Sequence, residues 1–335
     1  MRITRDLLHK FAQQTVNARL RTEPDIHAAY MMGSLIDDDP LLGGTTDIDL
    51  VLVHKYQSPT ERECVSITPD VSLDIFHKIR EDYADHRAFR QDPWMGYPLT
   101  HYNIILYDSN HWLEFIQSSV NAEFHRPDNV LARVRKFSSK ARDQWFSLFQ
   151  YTSDTHNNWL DRYLITLSLA ANSVSGLLGA PLTRRRFLMT FEERVEDLGV
   201  PKILAGFQGL LGFAEEQQNN LPTWIDAFKE DLVYLSEESV PPAHLVPCRH
   251  NYYTGAIEAL ANSNNFHNAI WPLLRTWMDV HLALNKTSPN KDLWEDFLTS
   301  LNLSAEQLEE KTEALDAYLD SVEIVVETWE NTYGI

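Results

Sequence analysis

Two acidic side chains in the first part of the chain, Asp47 and Asp49, have the type and spacing that metal-assisted chemistry requires. They open the run Asp47–His54, which is dense in Ile, Leu and Val and predicts a β-strand. Because side chains alternate along a strand, both carboxylates point to one face while Ile48 points into the core. Magnesium prefers oxygen ligands, so the pair predicts a site for one or two magnesium ions that act on a phosphate group.

A third carboxylate, Asp74, lies in another predicted strand, Val71–His77. If the sheet is a simple meander, this strand lies beside the first and brings Asp74 to the acidic pair. There it would either complete the metal site or take the proton from an attacking hydroxyl, and both roles stay open. Asp108 is a rival third carboxylate, but the Ser-Asn pair after it indicates a turn.

A Gly-Ser pair, Gly33-Ser34, follows the short apolar run Ile26–Met32, which predicts a buried strand. Glycine after a strand allows the backbone to approach a phosphate closely. The serine offers both its amide and its hydroxyl to a phosphate group. The pair therefore predicts a place for the anion that the metal ions would neutralise.

Together these residues resemble a known signature, that of the DNA polymerase β superfamily of nucleotidyltransferases. The resemblance covers roughly residues 25 to 110. A compact catalytic domain followed by a helical domain looks most like the aminoglycoside nucleotidyltransferases, enzymes of antibiotic resistance that move AMP from ATP to a drug hydroxyl. The matching segments are Met32-Gly33-Ser34, Thr46-Asp47-Ile48-Asp49-Leu50 and Leu73-Asp74-Ile75.

The resemblance implies a role for each matching residue. Asp47 and Asp49 would be ligands of Mg²⁺, with two ions expected, and Asp74 would be the third ligand or the general base. Gly33 and Ser34 would hold the triphosphate of ATP or another nucleoside triphosphate. The chain departs from the pattern in the loop at 35–46, which is long and carries three further acids, Asp37, Asp38 and Asp39.

Basic residues in the second half give further candidates for binding nucleotide. A cluster on one predicted helix is either a solvated face or a set of side chains that reaches the triphosphate; it consists of Arg133, Arg135, Lys136, Lys140 and Arg142. The segment Thr183–Arg186 predicts a helix start with Thr183 as its cap, and three arginines there oppose the helix dipole. That cost indicates an anion nearby, either acidic protein surface or nucleotide. Arg133, Lys136 and Arg185 are therefore the candidate nucleotide ligands of this half.

The formal net charge of −19 bears on the class of partner. A polyanion is repelled by such a field, so a nucleic acid is not the expected partner. A small cationic acceptor is attracted by it, although many proteins are acidic for solubility alone. Residues 291–330 are especially acidic, with twelve Asp or Glu against two Lys, which indicates either a solvated helix face or a wall that attracts a cation.

The pattern of elements predicts an α+β fold, with a small mixed-sheet domain at 1–125 followed by an all-helical, acceptor-binding domain at 126–335. Residues 3–20 predict a first helix, and 102–107 a last strand. In the second half, apolar residues recur every three or four positions at 130–148, 160–178 and 308–326. The residues His244, Cys248 and His250 match no zinc spacing and indicate a proline-flanked loop.

Composition sets outer limits. Two cysteines cannot form a disulfide framework, and neither a signal peptide nor a membrane span is evident, so a cytoplasmic location is expected.

Two alternative functions stay open. One keeps the chemistry but modifies a protein side chain or an RNA end. The other is a nucleotide-binding protein of the same fold without catalysis, although three retained metal-facing acids argue against it.

Overall fold

The computed structural model describes residues 3–36, 40–58, 60–150, 155–284 and 286–335. The acidic run Asp37–Asp39, which is the departure from the nucleotidyltransferase pattern, lies outside these ranges. By their internal contacts the residues form two units. The sheet unit comprises Met1–Asn129 and Pro242–Ala256, and the helical unit comprises Val130–Pro241 and Ile257–Ile335. The domains at 1–125 and 126–335 stay a prediction, and the units differ from them chiefly in assigning residues 242–256 to the sheet.

The fold is α+β with a mixed sheet, as the sequence predicts. Five strands lie in the order β3-β4-β2-β1-β5. Only the β2–β4 pair is parallel, and the other three pairs are antiparallel. The strands are β1 (Ile26–Met32), β2 (Thr46–His54), β3 (Arg62–Thr68), β4 (Val71–Ile79) and β5 (Ile105–Asp108).

The simple meander expected from sequence is wrong, although β2 and β4 are neighbours as it required. The chain leaves β2, forms β3 at the edge of the sheet, and returns as β4 between β3 and β2. Strand β3 was not predicted because its residues are half-exposed and polar, as suits an edge strand. The last strand, β5, begins at Ile105, because residues 102–104 form a turn of 3₁₀ helix.

The core of the sheet unit lies between the strands and two helices. Strand β2 is buried at every position except Asp49, which is partly buried. Helix α1 buries Leu8, Ala12 and Val16, spaced four residues apart, and the side chain of Thr4 caps it by accepting from the amide of Leu7. The helices of this unit's main segment are α1 (Arg5–Thr22), the single turn α2 (Pro93–Gly96) and α3 (Trp112–Phe124).

Helices dominate the rest of the described chain, and the chain passes between the two units within α4, between residues 241 and 242, and within α9. The predicted periodic segments fall in α4, α5 and α12, although α5 ends at Ser175 rather than near residue 178. These helices are α4 (Pro127–Gln150), α5 (His156–Ser175), α6 (Phe187–Asp197), α7 (Pro201–Leu210), α8 (Gln217–Glu238), α9 (His250–Ala261), α10 (Ile270–Ala283), α11 (Lys291–Ser300) and α12 (Leu308–Tyr333). No helix in the described ranges is long and apolar enough to cross a bilayer.

The basic cluster of α4 meets the acidic terminal helix α12 within the helical unit. The guanidinium of Arg142 contacts three carboxylates, those of Asp316, Asp320 and Glu323, at 2.5–2.9 Å. Arg135 pairs with Glu330 at 2.5 Å. Each exposed ion pair of this kind contributes little to the free energy of unfolding, but the four pairs together favour one packing of α4 against α12. For Arg135 and Arg142, the nearby anion is therefore protein surface.

The segment 242–256 approaches the chain just before β2, where Gly255 lies next to Gly43. Leu42 and Thr45 exchange both backbone hydrogen bonds around Gly43-Gly44, and both glycines have positive φ, as a type I′ turn requires. A Cβ on Gly43 would lie 1.9 Å from the carbonyl oxygen of Gly255, whereas a Cβ on Gly44 would meet no atom within 4 Å. The contact therefore depends on a bare backbone at Gly43.

This difference predicts unequal effects of two adjacent substitutions. Gly44→Ala is expected to cost about 1 kcal/mol, since only the left-handed conformation opposes it. Gly43→Ala should cost about 2 kcal/mol more, because the new methyl group displaces the backbone of Gly255. Urea unfolding of the two variants measures the difference, and equal losses would contradict the close approach.

Candidate metal and nucleotide site

The three predicted carboxylates meet on one face of the sheet. Asp49 on β2 lies directly opposite Asp74 on β4, and Asp47 lies opposite Ser72. In a parallel pair, residues in register share a face, so the strand geometry gathers all three acids. Each offers a ligand atom, and these atoms all lie within 4.8 Å of one another. Asp47 and Asp74 are buried and Asp49 is partly buried.

Gly33 closes the site at the end of β1. Its φ is +70°, and a Cβ at this position would lie 1.8 Å from Oδ2 of Asp49. Only glycine combines this conformation with so close an approach to the carboxylate. The next residue, Ser34, carries a buried hydroxyl that makes no hydrogen bond with the described protein atoms. A buried hydroxyl without a partner is costly, so its presence in the residue after Gly33 fits a polar ligand such as a phosphate.

Two arginines that were not predicted from sequence bind the carboxylates. Arg62 on β3 donates from Nε to Oδ1 of Asp74 at 2.7 Å and from Nη2 to Oδ2 at 2.5 Å. Arg249 donates from Nη2 to Oδ2 of Asp47 at 2.9 Å, and its Nη1 donates to Oδ2 of Asp74. Arg62 was missed together with its strand. The sequence does contain a signal that could have drawn attention to Arg249, because this residue is the single Lys or Arg between Lys229 and Arg275.

The loop that carries Arg249 has no metal-binding group of its own among the described residues. Its Cys248 places Sγ 2.8 Å from Sγ of Cys64 on β3, and Nε2 of His250 lies 3.3 Å from the carbonyl of Leu245. Burial and the neighbouring Cys248 raise the pKa of the Cys64 thiol to about 12, so this thiol stays neutral. The loop therefore contributes a cation to the site rather than ligands.

The charges of the cluster shift its pKa values. Burial raises the pKa of Asp49 well above its ordinary value, and the carboxylates of Asp47 and Asp74 raise it further. For Arg249, burial lowers the pKa, but Tyr253, Asp47, Tyr252 and Asp74 together raise it by more, so the guanidinium stays charged. A cation bound at Asp49 would favour its ionised form, so cation binding and proton release are linked at this side chain.

The donor set fits magnesium. All three candidate ligands are carboxylates, which suit hard divalent ions such as Mg²⁺ and Mn²⁺. A carboxylate has about four acceptor positions, and the two arginines occupy three of those on Asp74. Asp47 gives up one such position to Arg249. Asp47 therefore has more capacity left for a metal ion than Asp74 has.

The other predicted nucleotide ligands lie in the helical unit, and their role stays a prediction. Arg133 is buried on α4, and burial lowers its pKa to about 10. Lys136 on the same helix is exposed, and Arg185 is buried in the turn before α6. The predicted capping role of Thr183 is wrong, because α6 begins at Phe187 and residues 184–186 form a turn. Arg184 in that turn pairs with Asp279 at 2.6 Å.

Comparisons with known proteins add little to this geometry. No protein-family model matches the chain, and no curated protein sequence does. Among solved structures, the chain is similar to a nucleotidyltransferase-like protein from Exiguobacterium sibiricum, at 10% identity, with 90% of each chain covered and a TM-score of 0.36. So low a TM-score carries no functional argument, and the interpretation of the site rests on its own residues.

The raised pKa of Asp49 predicts a pH-dependent effect of Asp49→Asn on stability. An acid with a raised pKa in the folded state makes the protein less stable as pH rises from its unfolded value, near 3.8, through its folded value. The asparagine removes this penalty, so the variant should gain thermal stability at pH 8 and lose that gain toward pH 4. Melting temperatures in EDTA measure the trend, with Asp70→Asn, in an exposed turn outside the cluster, as the control for loss of one carboxylate.

Proposed function

We propose that the chain is a magnesium-dependent nucleotidyltransferase that moves a nucleoside monophosphate, AMP from ATP, to a hydroxyl of a small cationic acceptor such as an aminoglycoside. The observation that carries the proposal is the cluster of Asp47, Asp49 and Asp74 next to Gly33-Ser34. Carboxylates this close together in a partly buried site need a cation, and the serine beside them suits an anion. A metal–triphosphate complex provides both.

The chain's own residues divide the work of the reaction. Asp47 and Asp49 would hold Mg²⁺, which when bound neutralises the triphosphate and the charge that develops on it. The hydroxyl of Ser34 would donate to a phosphate oxygen, and Gly33 leaves room for the triphosphate beside Asp49. Asp74, which Arg62 holds in place with two hydrogen bonds, would keep acceptor capacity to take the hydroxyl proton.

The bond changes follow from this assignment. The acceptor oxygen attacks the α-phosphorus, its proton passes to Asp74, and the bond to the β-phosphate breaks to release pyrophosphate. Arg62, with its two hydrogen bonds to Asp74, orients this carboxylate toward the attacking hydroxyl. Arg133, Lys136 and Arg185 are further candidates for binding the triphosphate.

The acceptor class rests on charge. At −19, the chain favours a cationic small molecule over RNA, because long-range attraction raises the local concentration of a cation and lowers that of a polyanion. An aminoglycoside carries several ammonium groups and hydroxyls and so satisfies both requirements.

A second candidate is a nucleotide-binding protein without catalysis, and the two arginines favour it. Guanidinium groups occupy Asp47 and Asp74, so part of the charge of the acid cluster is already offset by protein cations. Calorimetry separates the candidates: the enzyme should bind ATP more tightly with Mg²⁺ than with EDTA, whereas a metal-independent binder should show no difference.

Activity gives the decisive test. With ATP, Mg²⁺ and a panel of aminoglycosides, the protein should release pyrophosphate, and Asp47→Asn should slow release at least about 100-fold, because a metal ion supplies several kcal/mol of transition-state stabilisation. The matched variant Asp70→Asn, in an exposed turn of the sheet unit, should retain the rate. The proposal would be refuted if pyrophosphate release survived Asp47→Asn. It would also be refuted if pyrophosphate were released when no acceptor is present.

A further inference from the structure

Arg249 lies where a metal ion would need to bind. Its guanidinium bridges the Oδ2 atoms of Asp47 and Asp74, and its side chain is only 5% exposed. The rings of Tyr252 and Tyr253 lie 4.6 Å and 5.7 Å from its guanidinium carbon. This arginine therefore lies within the acid cluster and not at its rim.

A divalent ion and this guanidinium would compete for the carboxylate of Asp47. An ion held by Asp47 and Asp49 would lie close to the guanidinium of Arg249, which binds Asp47, and two cations so close in a site with little water repel strongly. Either the ion binds weakly or the guanidinium gives up its carboxylates. Binding of the ion and pairing of Arg249 with these acids are thus mutually opposed.

Arg249 has the means to leave. Its Nε is buried and has no hydrogen-bond partner among the described residues, so rotation of the side chain breaks the two bonds that its terminal nitrogens make to Asp47 and Asp74. The triphosphate that would accompany the ion offers a new partner, because guanidinium binds phosphate with paired hydrogen bonds. The rings of Tyr252 and Tyr253 beside the guanidinium favour its charged form.

Arg62 provides a contrast within the same site. It comes from the flanking strand β3, its side chain is 29% exposed, and both of its bonds go to Asp74 alone. It does not bridge two candidate ligands. Loss of Arg62 would therefore leave Arg249 bound to both Asp47 and Asp74. Loss of Arg249, in contrast, would free an acceptor position on each of these two carboxylates.

We propose that Arg249 couples metal binding to nucleotide binding. It pairs with Asp47 and Asp74 until a divalent ion binds at the acid cluster, and it then binds the triphosphate that arrives with the ion. This inference rests on the proposed function and assigns to Arg249 the control of how tightly the free protein holds its metal. The protein then binds a bare metal ion weakly and a metal–nucleotide complex well.

Two binding measurements on Arg249→Met test this, with Arg62→Met as the matched control. Removal of the competing cation should make Mn²⁺ alone bind about tenfold tighter, a typical size for coupling between sites. The same variant should bind the Mn²⁺ complex of a non-hydrolysable ATP analogue about tenfold more weakly, because the phosphate partner is gone. Arg62→Met leaves Arg249 on Asp47 and Asp74, so it should tighten Mn²⁺ binding less than Arg249→Met does. Free Mn²⁺ is followed by electron paramagnetic resonance and the complex by calorimetry.

The opposite signs separate coupling from a structural role. If Arg249→Met weakens both ligands, the arginine merely supports the fold, and the inference is overturned; melting temperatures identify that case independently. If the unaltered protein binds Mn²⁺ and the variant binds it no more tightly, the inference fails while the proposed function stands. If neither protein binds Mn²⁺, with or without the analogue, the proposed function fails and the inference fails with it.

Discussion

Repulsion among three carboxylates is the constraint on which the sheet unit depends. Asp47, Asp49 and Asp74 place oxygens within 4.8 Å of one another, where burial removes much of the water that would screen them. Arg62 and Arg249 offset part of this charge, and burial together with the charge that remains raises the pKa of Asp49. The three carboxylates destabilise the folded state by repelling one another, and the same carboxylates suit a divalent ion. Stability and metal binding therefore depend on the same side chains.

The backbone is arranged to tolerate this cluster. Strand β4 returns parallel to β2, which puts Asp74 in register with Asp49, while β3 on the outer side supplies Arg62. Two glycines permit approaches that no other residue allows. A side chain at Gly33 would collide with the Asp49 carboxylate, and one at Gly43 would collide with the backbone that follows Arg249 along the chain. The site is therefore held by strand register and close backbone contacts as much as by ion pairs.

The combination of acids and arginines suits a ligand that carries both signs of charge. A metal–triphosphate complex presents a divalent ion to the carboxylates and phosphate oxygens to the guanidinium and hydroxyl groups, so each partner that the ion displaces finds a replacement. This reciprocity connects the proposed transferase reaction with the proposed role of Arg249. It also explains how a protein of such negative charge would bind an anionic nucleotide, because the local site is far less negative than the chain as a whole.

The candidate ligands were predictable because the signals that mark them are local. Alternation along β2 places Asp47 and Asp49 on one face whatever the rest of the chain does, and Gly33-Ser34 directly follows its strand. The α+β fold and the main helices followed from apolar periodicity in the same way. The edge strand β3 escaped because its exposed, polar residues carry no such period.

Only the tertiary structure decided which cations accompany the acids. Arg249 lies 202 residues from Asp47 and 175 from Asp74 in the sequence, within a loop whose cysteine and histidines suggested no ligand. The parallel return of β4, in place of a meander, likewise depends on how the chain crosses the sheet. Residue type and spacing determine what chemistry a local segment can support. Which distant segments meet there is set by packing of the whole unit, since no local pattern encodes a contact across so long a stretch of chain.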